Sequence, residues 1–85
     1  MVHISVVIIT LNEEKNIGRC LEAVKGIADD IVIVDSLSKD RTAEIALSYG
    51  ARIIEQPFLG YGAQKNFADK QAKYDWILSL DAIAG

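Results

Sequence analysis

The stretch ISVVIITLNEE, residues 4–14, passes from an apolar run directly into a polar turn with two carboxylates. The same change recurs in IVIVDS, residues 31–36, and in WILSLD, residues 76–81, whose apolar runs end at Asp35 and Asp81. Continuous β-branched runs are typical of strands buried on both faces of a parallel sheet. Because the carboxyl ends of parallel strands meet at one edge, where open α/β sheets bind ligands, the three turns predict a binding site.

Segments with the periodicity of amphipathic helices separate these strand-like runs. The first three predicted elements are a strand over 4–9, a helix with Asn12 as N-cap and Gly26 as stop, and a strand over 31–34. They are followed by a helix that starts at Ser38 or Asp40 and ends at Gly50, a strand over 51–55, a helix over 63–72 and a strand over 76–80. This βαβαβαβ order requires right-handed crossovers and helices packed on the sheet. We therefore predict an α/β fold, a parallel three-layer sandwich.

Composition excludes several classes of protein. The chain has 85 residues, 51% of them hydrophobic, and one proline, which fits a single folded globular domain. Its net charge of −3 gives no basic face, so we expect no nucleic-acid partner. No apolar run approaches the roughly 20 residues that span a bilayer, so we expect no transmembrane segment.

Targeting and redox signals favour the cytoplasm. Glu13 and Glu14 interrupt the first apolar run and no small-residue cleavage site follows, so we expect no secretory signal. Cys20 is the only cysteine and cannot form an internal disulfide, as is typical of reducing compartments. We expect a cytoplasmic protein, with the inner face of the membrane as the alternative location for the full-length protein.

Four segments, at these spacings, resemble the nucleotide-binding half of family-2 glycosyltransferases with the GT-A fold: TLNEEKNIGRCLEAV, IVIVDSLSKDRTAEIA, QPFLGYGAQKNFA and DWILSLDA. They look most like the bacterial enzymes that build the lipopolysaccharide core or the cell envelope. The resemblance implies a truncated GT-A, Rossmann-like half with sheet order 3-2-1-4. Residues 1–85 are then expected to form one subdomain that binds the sugar donor and ends before the acceptor-binding half.

The resemblance implies seven nucleotide-binding residues: Thr10, Leu11, Asn12, Glu13, Asp35, Ser36 and Lys65. The turn after the first strand touches base and ribose in the family, and Asp35 matches an aspartate that accepts a hydrogen bond from uracil N3–H. Carboxylate and amide oxygens suit such donors. Lys65 stands where the family has an arginine near the diphosphate, and a lysine acts there as a point charge without the bidentate fork of arginine.

These residues also have purely structural interpretations. Asn12 can be explained as an N-cap, Glu13 as a partner of the helix dipole, and Asp35 as a turn residue that caps the next helix. Lys65 can be explained as a solvated residue on an amphipathic helix. Leu37 departs from the family, which often has glycine there, so the geometry of this loop is expected to differ.

Asp81 marks the expected metal position. In the family the fourth strand ends in Asp-x-Asp, which holds Mg²⁺ or Mn²⁺ against the sugar diphosphate, whereas this chain reads Asp81-Ala82-Ile83. One carboxylate with substrate phosphates can still hold Mg²⁺, but the loss of a charged ligand weakens such a site. The divalent cation expected for the full-length family is therefore expected to be weak or absent here, because Ile83 replaces the second acidic residue.

The function implied is inverting transfer of a glycosyl group, of the hexosyltransferase type, from a UDP-linked sugar to a cell-envelope glycan or lipid acceptor. Such a transfer needs a general base and a bound acceptor, which the family supplies from later sequence. We therefore expect no catalytic residue in this chain, weak binding of UDP or a UDP-sugar, and no activity of the 85 residues alone. His3, the only histidine, is expected at the opposite end of the sheet in a structural role.

A second hypothesis comes from another class of protein. The last strand leaves a long apolar edge, and an open edge is a template for pairing with another chain. The alternative function is thus a non-catalytic fragment that self-associates as a homodimer through this edge.

Overall fold

A computed structural model describes residues 2–83 as a parallel four-stranded sheet covered by helices. The elements are β1 (Ile4–Leu11), α1 (Glu14–Val24), β2 (Asp30–Asp35), α2 (Thr42–Ser48), β3 (Arg52–Glu55), α3 (Tyr61–Asp69) and β4 (Trp76–Ile83). The strand order is β3-β2-β1-β4, and each neighbouring pair is parallel. The predicted βαβαβαβ arrangement and the sheet order 3-2-1-4 are confirmed.

Helices pack on both faces of the sheet, with β1 at its centre. Val6 and Ile8 of β1 belong to the apolar cluster under α1 and α2, whereas Val7 and Ile9 belong to the cluster under α3. All four side chains are at most 1% exposed. Two buried faces explain why β1 is continuously apolar rather than alternating, and they confirm the three-layer sandwich.

The predicted start of α1 was wrong. The helix begins at Glu14 with Glu13 in the N-cap position and has no side-chain cap. Asn12 has a φ of +50°, in the left-handed region, and its Oδ1 accepts a hydrogen bond from the N–H of Lys39 at 2.8 Å. The Asn12 amide is therefore used to join two turns and not to cap the helix.

The ends of the first two helices differ in their use of glycine. α1 ends at Val24 with Lys25 as its C-cap, so Gly26 follows the helix where the sequence placed the stop, but Gly26 does not adopt a left-handed conformation. Gly50, in contrast, has a φ of +78° just after α2, as expected of a residue that ends a helix.

The predicted end of β4 at Asp81 was also wrong, because the strand continues to Ile83. Its pairing with β1 is maintained throughout, and Asp81 lies beside Ile9 while Ile83 lies beside Leu11.

Along the outer part of β4 the side chain of Trp76 is 65% exposed. Within residues 2–83, no helix combines the length and hydrophobicity needed to cross a lipid bilayer.

Candidate functional site

Asp35 ends β2 inside a buried hydrogen-bond cluster at the carboxyl edge of the sheet. Its Oδ1 accepts hydrogen bonds from the hydroxyl groups of Thr10 and Ser38, both at 2.6 Å, and its Oδ2 accepts one from the N–H of Ser38 at 2.8 Å. Thr10 is fully buried and Asp35 is 3% exposed. The donors found for this carboxylate within residues 2–83 are therefore all neutral groups.

Leu37 has a left-handed backbone conformation in the turn after Asp35. Its φ is +58°, a value that costs a non-glycine residue about 1–2 kcal/mol, and its side chain is 49% exposed. The turn brings the N–H and the hydroxyl group of Ser38 back onto the Asp35 carboxylate. The expectation that Leu37 changes the geometry of this loop was therefore wrong. Leu37 adopts the left-handed conformation that glycine adopts freely, although for leucine this conformation has an energetic cost.

The turns after β1 and β2 are joined by reciprocal hydrogen bonds. The N–H of Asn12, which follows the last β1 residue Leu11, donates to Ser38 Oγ at 2.8 Å. The N–H of Lys39 donates back to Asn12 Oδ1 at 2.8 Å. Asn12 thus fixes the spacing between the two turns that the sequence predicted to form one site.

A second set of bonds joins the start of α1 to the start of α2. The N–H of Glu13 donates to Thr42 Oγ1 at 2.9 Å, and the N–H of Glu14 donates to Asp40 Oδ2 at 3.1 Å. Asp40 also accepts from the N–H and hydroxyl group of Thr42, but Arg41 holds the N-cap position of α2 without a side-chain cap, so the prediction that Ser38 or Asp40 caps this helix was wrong. Burial acts to raise the pKa of Asp40, but these hydrogen bonds lower it overall.

The side chain of Glu13 lies beside a surface pocket at this junction. Its Oε2 accepts a hydrogen bond from Asn16 Nδ2 at 2.9 Å. The pocket has a volume of about 260 Å³ and is lined by Asn12, Glu13, Glu14, Lys15, Asn16 and Asp40. Two predicted nucleotide-binding residues, Asn12 and Glu13, therefore border an opening.

Gln64 is a site residue that the sequence interpretation missed. It is fully buried in α3, and its Nε2 donates to Ser36 Oγ at 3.0 Å. Its Oε1 accepts from the N–H of Leu59 at 3.0 Å, which ties the loop before α3 to the turn after β2. The signal was present, because Gln64 precedes the buried Ala68 by four residues and thus occupies the apolar face of the helix.

Lys65 and Asp81 are brought together on the α3 side of the sheet. The Nζ of Lys65 lies 3.0 Å from Asp81 Oδ1, and the two side chains are 40% and 41% exposed. Thr10 and Asp35 instead lie on the side of α1 and α2, since Thr10 follows Ile8 by two residues and pairs with Asp35. The predicted metal position and the predicted base-binding aspartate share one edge but lie on opposite faces.

The donor set of this edge does not fit a divalent cation. Mg²⁺ and Mn²⁺ sites are built from several oxygen ligands, whereas Asp81 is one carboxylate already paired with an ammonium group. The next residue on the same strand face is Ile83, which packs against the apolar cluster under α3. Within residues 2–83, no three Asp, Glu, His or Cys side chains converge as metal ligands.

His3 lies at the amino edge of the sheet, opposite the predicted site. Its Nδ1 is 3.5 Å from Asp29 Oδ2, and its ring stacks on Tyr74 with centroids 4.9 Å apart. This position agrees with the structural role expected for it.

Comparisons with known proteins agree with the fold. The family model described as Glycosyl transferase family 2 matches residues 5–82. An uncharacterized glycosyltransferase of Rickettsia bellii is 51% identical over 79 residues, which are 93% of this chain and 27% of that relative. The lipopolysaccharide core biosynthesis glycosyltransferase LpsC of Rhizobium meliloti is 42% identical over 84 residues, covering 93% of this chain and 31% of LpsC. The chain thus spans less than a third of the length of these curated relatives.

Solved structures of two synthases, among others, are similar to the chain. Glucosyl-3-phosphoglycerate synthase from Mycobacterium tuberculosis, solved with Mn²⁺, UDP and glucosyl-3-phosphoglycerate, matches with a TM-score of 0.73 and 26% identity, over 94% of this chain and 33% of that one. Mannosyl-3-phosphoglycerate synthase from Rubrobacter xylanophilus matches with a TM-score of 0.82 over 95% of this chain and 30% of that one. Its identity of 24% shows a shared fold alone.

The sheet order, the helices on both faces and the match over residues 5–82 confirm the predicted GT-A fold and the predicted family. Four parallel strands in the order 3-2-1-4 form the part of the fold that the similar transferases share. The chain is a partial domain that belongs to glycosyl transferase family 2.

Proposed function

We propose that this chain supplies the donor-nucleotide site of a glycosyltransferase that uses a UDP-linked sugar. The observation that carries the proposal is the buried Asp35 carboxylate at the carboxyl edge, where open α/β sheets bind ligands. The similar synthase from Mycobacterium tuberculosis was solved with UDP, which supports a uridine nucleotide as the first ligand to test.

Asp35 retains capacity to accept one more hydrogen bond. An ionised carboxylate has about four acceptor positions, and Thr10 and Ser38 fill two on Oδ1 and one on Oδ2. The remaining position on Oδ2 suits a ligand N–H. Uracil offers such a donor at N3, whereas the N3 atom of cytosine carries no proton, so we expect preference for UDP over CDP.

The neighbouring turn and helix serve the rest of the nucleotide in this proposal. Leu11, Asn12 and Glu13 contact base and ribose, and one carboxylate oxygen of Glu13 stays available because Asn16 bonds to the other. Ser36, held by the buried Gln64, lies beside the base. Lys65 supplies positive charge for the diphosphate.

The activity of the whole protein is part of the proposal, since this chain spans less than a third of its relatives. We infer inverting, hexosyltransferase-type transfer to a cell-envelope glycan or lipid acceptor, and the name of LpsC favours the lipopolysaccharide core. No residue of this chain is assigned as catalytic, and the 85 residues alone are expected to be inactive. A cytoplasmic location is proposed because a single cysteine suits a reducing compartment.

Titration of the chain with UDP and CDP tests the nucleotide site. We expect UDP to shift the amide resonances of the turns after β1 and β2, with no shift from CDP at the same concentration. At a UDP concentration about one hundred times the dissociation constant, stabilisation against unfolding should reach roughly 2.7 kcal/mol.

The variant Asp35→Ala should lose the UDP response. Asp75→Ala is the matched control, because Asp75 is an exposed aspartate just before β4, at the opposite edge of the sheet. Absence of any UDP effect at millimolar concentration, or equal responses to UDP and CDP, contradicts the proposal.

Self-association through β4 is a second candidate function. It is favoured by the exposed apolar side chains of Trp76, Ile77 and Leu78, which are 65%, 40% and 37% exposed on this edge strand. A second copy would extend the sheet by pairing with the open edge. Sedimentation equilibrium should then show a dimer that Leu78→Pro dissociates, and a monomer at millimolar concentration contradicts this function.

A further inference from the structure

The Lys65–Asp81 ion pair occupies the position at which the family resemblance implies both a diphosphate and a metal ion. Lys65 reaches across from α3, and its Nζ lies 3.0 Å from Asp81 Oδ1 on β4. An ammonium group therefore already lies against the carboxylate to which a cation would have to bind. Both side chains are about two-fifths exposed, so the pair remains accessible to a ligand.

The register of β4 provides no second carboxylate for a metal. Because β4 stays paired with β1 to its end, Asp81 and Ile83 point to the same face and Ala82 points to the other. Ile83 packs against the apolar cluster under α3, and Ala82 packs against the cluster on the opposite face. The arrangement leaves one carboxylate and one ammonium group where two carboxylates would hold an ion.

We propose that the Lys65 ammonium group takes the place of a divalent cation in this chain, so that UDP binds without metal. The inference rests on the proposed nucleotide site. A lysine ammonium has three donors, of which Asp81 uses one, and two remain for phosphate oxygens. Asp81 is then a positioning residue, since it holds Lys65 at the sheet edge and does not touch a metal ion.

The proposal makes a prediction about metal dependence that a two-carboxylate site would not share. UDP and uridine are titrated into the chain by calorimetry, once with EDTA and once with millimolar Mn²⁺. We expect UDP to bind more tightly than uridine in EDTA, and we expect Mn²⁺ to change its dissociation constant by less than about twofold.

Lys65→Ala should weaken UDP binding roughly tenfold in EDTA, the ratio for one charge-assisted hydrogen bond, and should leave uridine binding unchanged. Lys70→Ala is the matched control, because Lys70 is an exposed lysine at the far end of the same helix. Asp81→Asn keeps an oxygen acceptor for Lys65 but removes a negative charge near the diphosphate. Because the ionic hold on Lys65 is lost while an acceptor remains, UDP binding in EDTA should weaken by less than in Lys65→Ala, and by the same factor in Mn²⁺, whereas a metal ligand would give a loss seen only with Mn²⁺.

Ile83→Asp places a second carboxylate on the same strand face as Asp81 and should make UDP binding depend on Mn²⁺. Ile83→Asn is the control for the loss of the packing of Ile83. Wild-type binding of UDP that Mn²⁺ tightens tenfold or more overturns the inference but not the nucleotide site. Equal binding of UDP by Lys65→Ala and Lys70→Ala overturns it as well. If neither uridine nor UDP binds under either condition, both the inference and the proposed function are wrong.

Discussion

The two ends of the β1–β2 ladder carry the same motif in different electrostatic surroundings. At the amino end, Ser5 Oγ donates to Asp30 Oδ2 at 2.9 Å, and at the carboxyl end, Thr10 Oγ1 donates to Asp35 Oδ1 at 2.6 Å. Each hydroxyl and carboxylate belong to residues paired in register. Only Asp30 also bonds to a guanidinium group, since Arg52 donates to both of its oxygens at 2.9 and 3.0 Å.

The difference separates an aspartate that is paired with a cation from one whose hydrogen-bond donors are all neutral. Asp30 joins three strands and the segment before β4, because it also accepts from the N–H of Lys73 at 3.0 Å. Its charge is compensated within the chain. Asp35 is buried among neutral donors, and no cation within residues 2–83 compensates its charge; in the proposed function its remaining acceptor position takes the N–H of the ligand.

The largest expected effect comes from Asp30→Ala. The side chain is 6% exposed and its removal takes one acceptor each from Arg52, Ser5 and the N–H of Lys73, so we expect a loss of about 2 kcal/mol of unfolding free energy. Asp35→Ala should cost less, about 1 kcal/mol, because it also removes a carboxylate that no cation compensates. Urea denaturation of the two variants measures both values.

Asp30→Ala should retain the UDP response in the fraction that is folded, whereas Asp35→Ala should lose it. A larger stability loss for Asp35→Ala than for Asp30→Ala would show that the carboxyl end is the structural one, contrary to the comparison.

A smaller effect of opposite sign is expected at Leu37. Leu37→Gly removes the cost of the left-handed conformation, about 1–2 kcal/mol, but adds backbone freedom to the unfolded chain, which costs roughly 0.5–1 kcal/mol. We expect a net gain of about 0.5–1 kcal/mol in urea denaturation. Leu47→Gly is the control, since this exposed leucine lies within α2, where glycine should destabilise by about 1 kcal/mol. Equal destabilisation by both changes would contradict the strain assigned to the turn.

The smallest expected effect is a dependence of the unfolding free energy on pH, through Asp30 at the amino end of the β1–β2 ladder. Burial acts to raise the pKa of Asp30, but hydrogen bonds from Arg52, the N–H of Lys73 and Ser5 outweigh it and hold the pKa below its ordinary value. The stabilisation is therefore present above about pH 3.9 and is lost as the pH falls below it. Unfolding free energies between about pH 2 and 5 should vary less steeply in Asp30→Asn, and the lowered pKa of Asp40 leaves a residual slope. Identical slopes for wild type and variant would exclude this linkage.

The fold was predictable because it depends on one-dimensional patterns. Continuous apolar runs such as residues 4–9 and helical spacing between them determine element type and order, and both were confirmed. The residues at the strand ends were also placed at one edge, since this follows from parallel pairing alone.

The details of the site depend on three-dimensional relations that sequence spacing does not contain. Whether Asp35 and Asp81 share a face depends on the register between three strands, and the extension of β4 to Ile83 depends on its pairing with β1. The use of Asn12 depends on the position of Lys39, which is distant in sequence. The spacing of Gln64 from Ala68 placed it on the apolar face of α3, but the contacts with Leu59 and Ser36 that satisfy its amide are not visible in the sequence.

The position of β4 next to the central strand has a consequence for the order of folding. β4 is held in place by contacts between residues that are far apart in the sequence. One example is the N–H of Tyr74, which donates a hydrogen bond to Ser5, 69 residues away. The pairings of β1 with β2 and of β2 with β3 close much shorter loops and lose less chain entropy. Strands β1 to β3 should therefore assemble first, and β4, joining last at a free edge, should show the fastest amide exchange of the four strands.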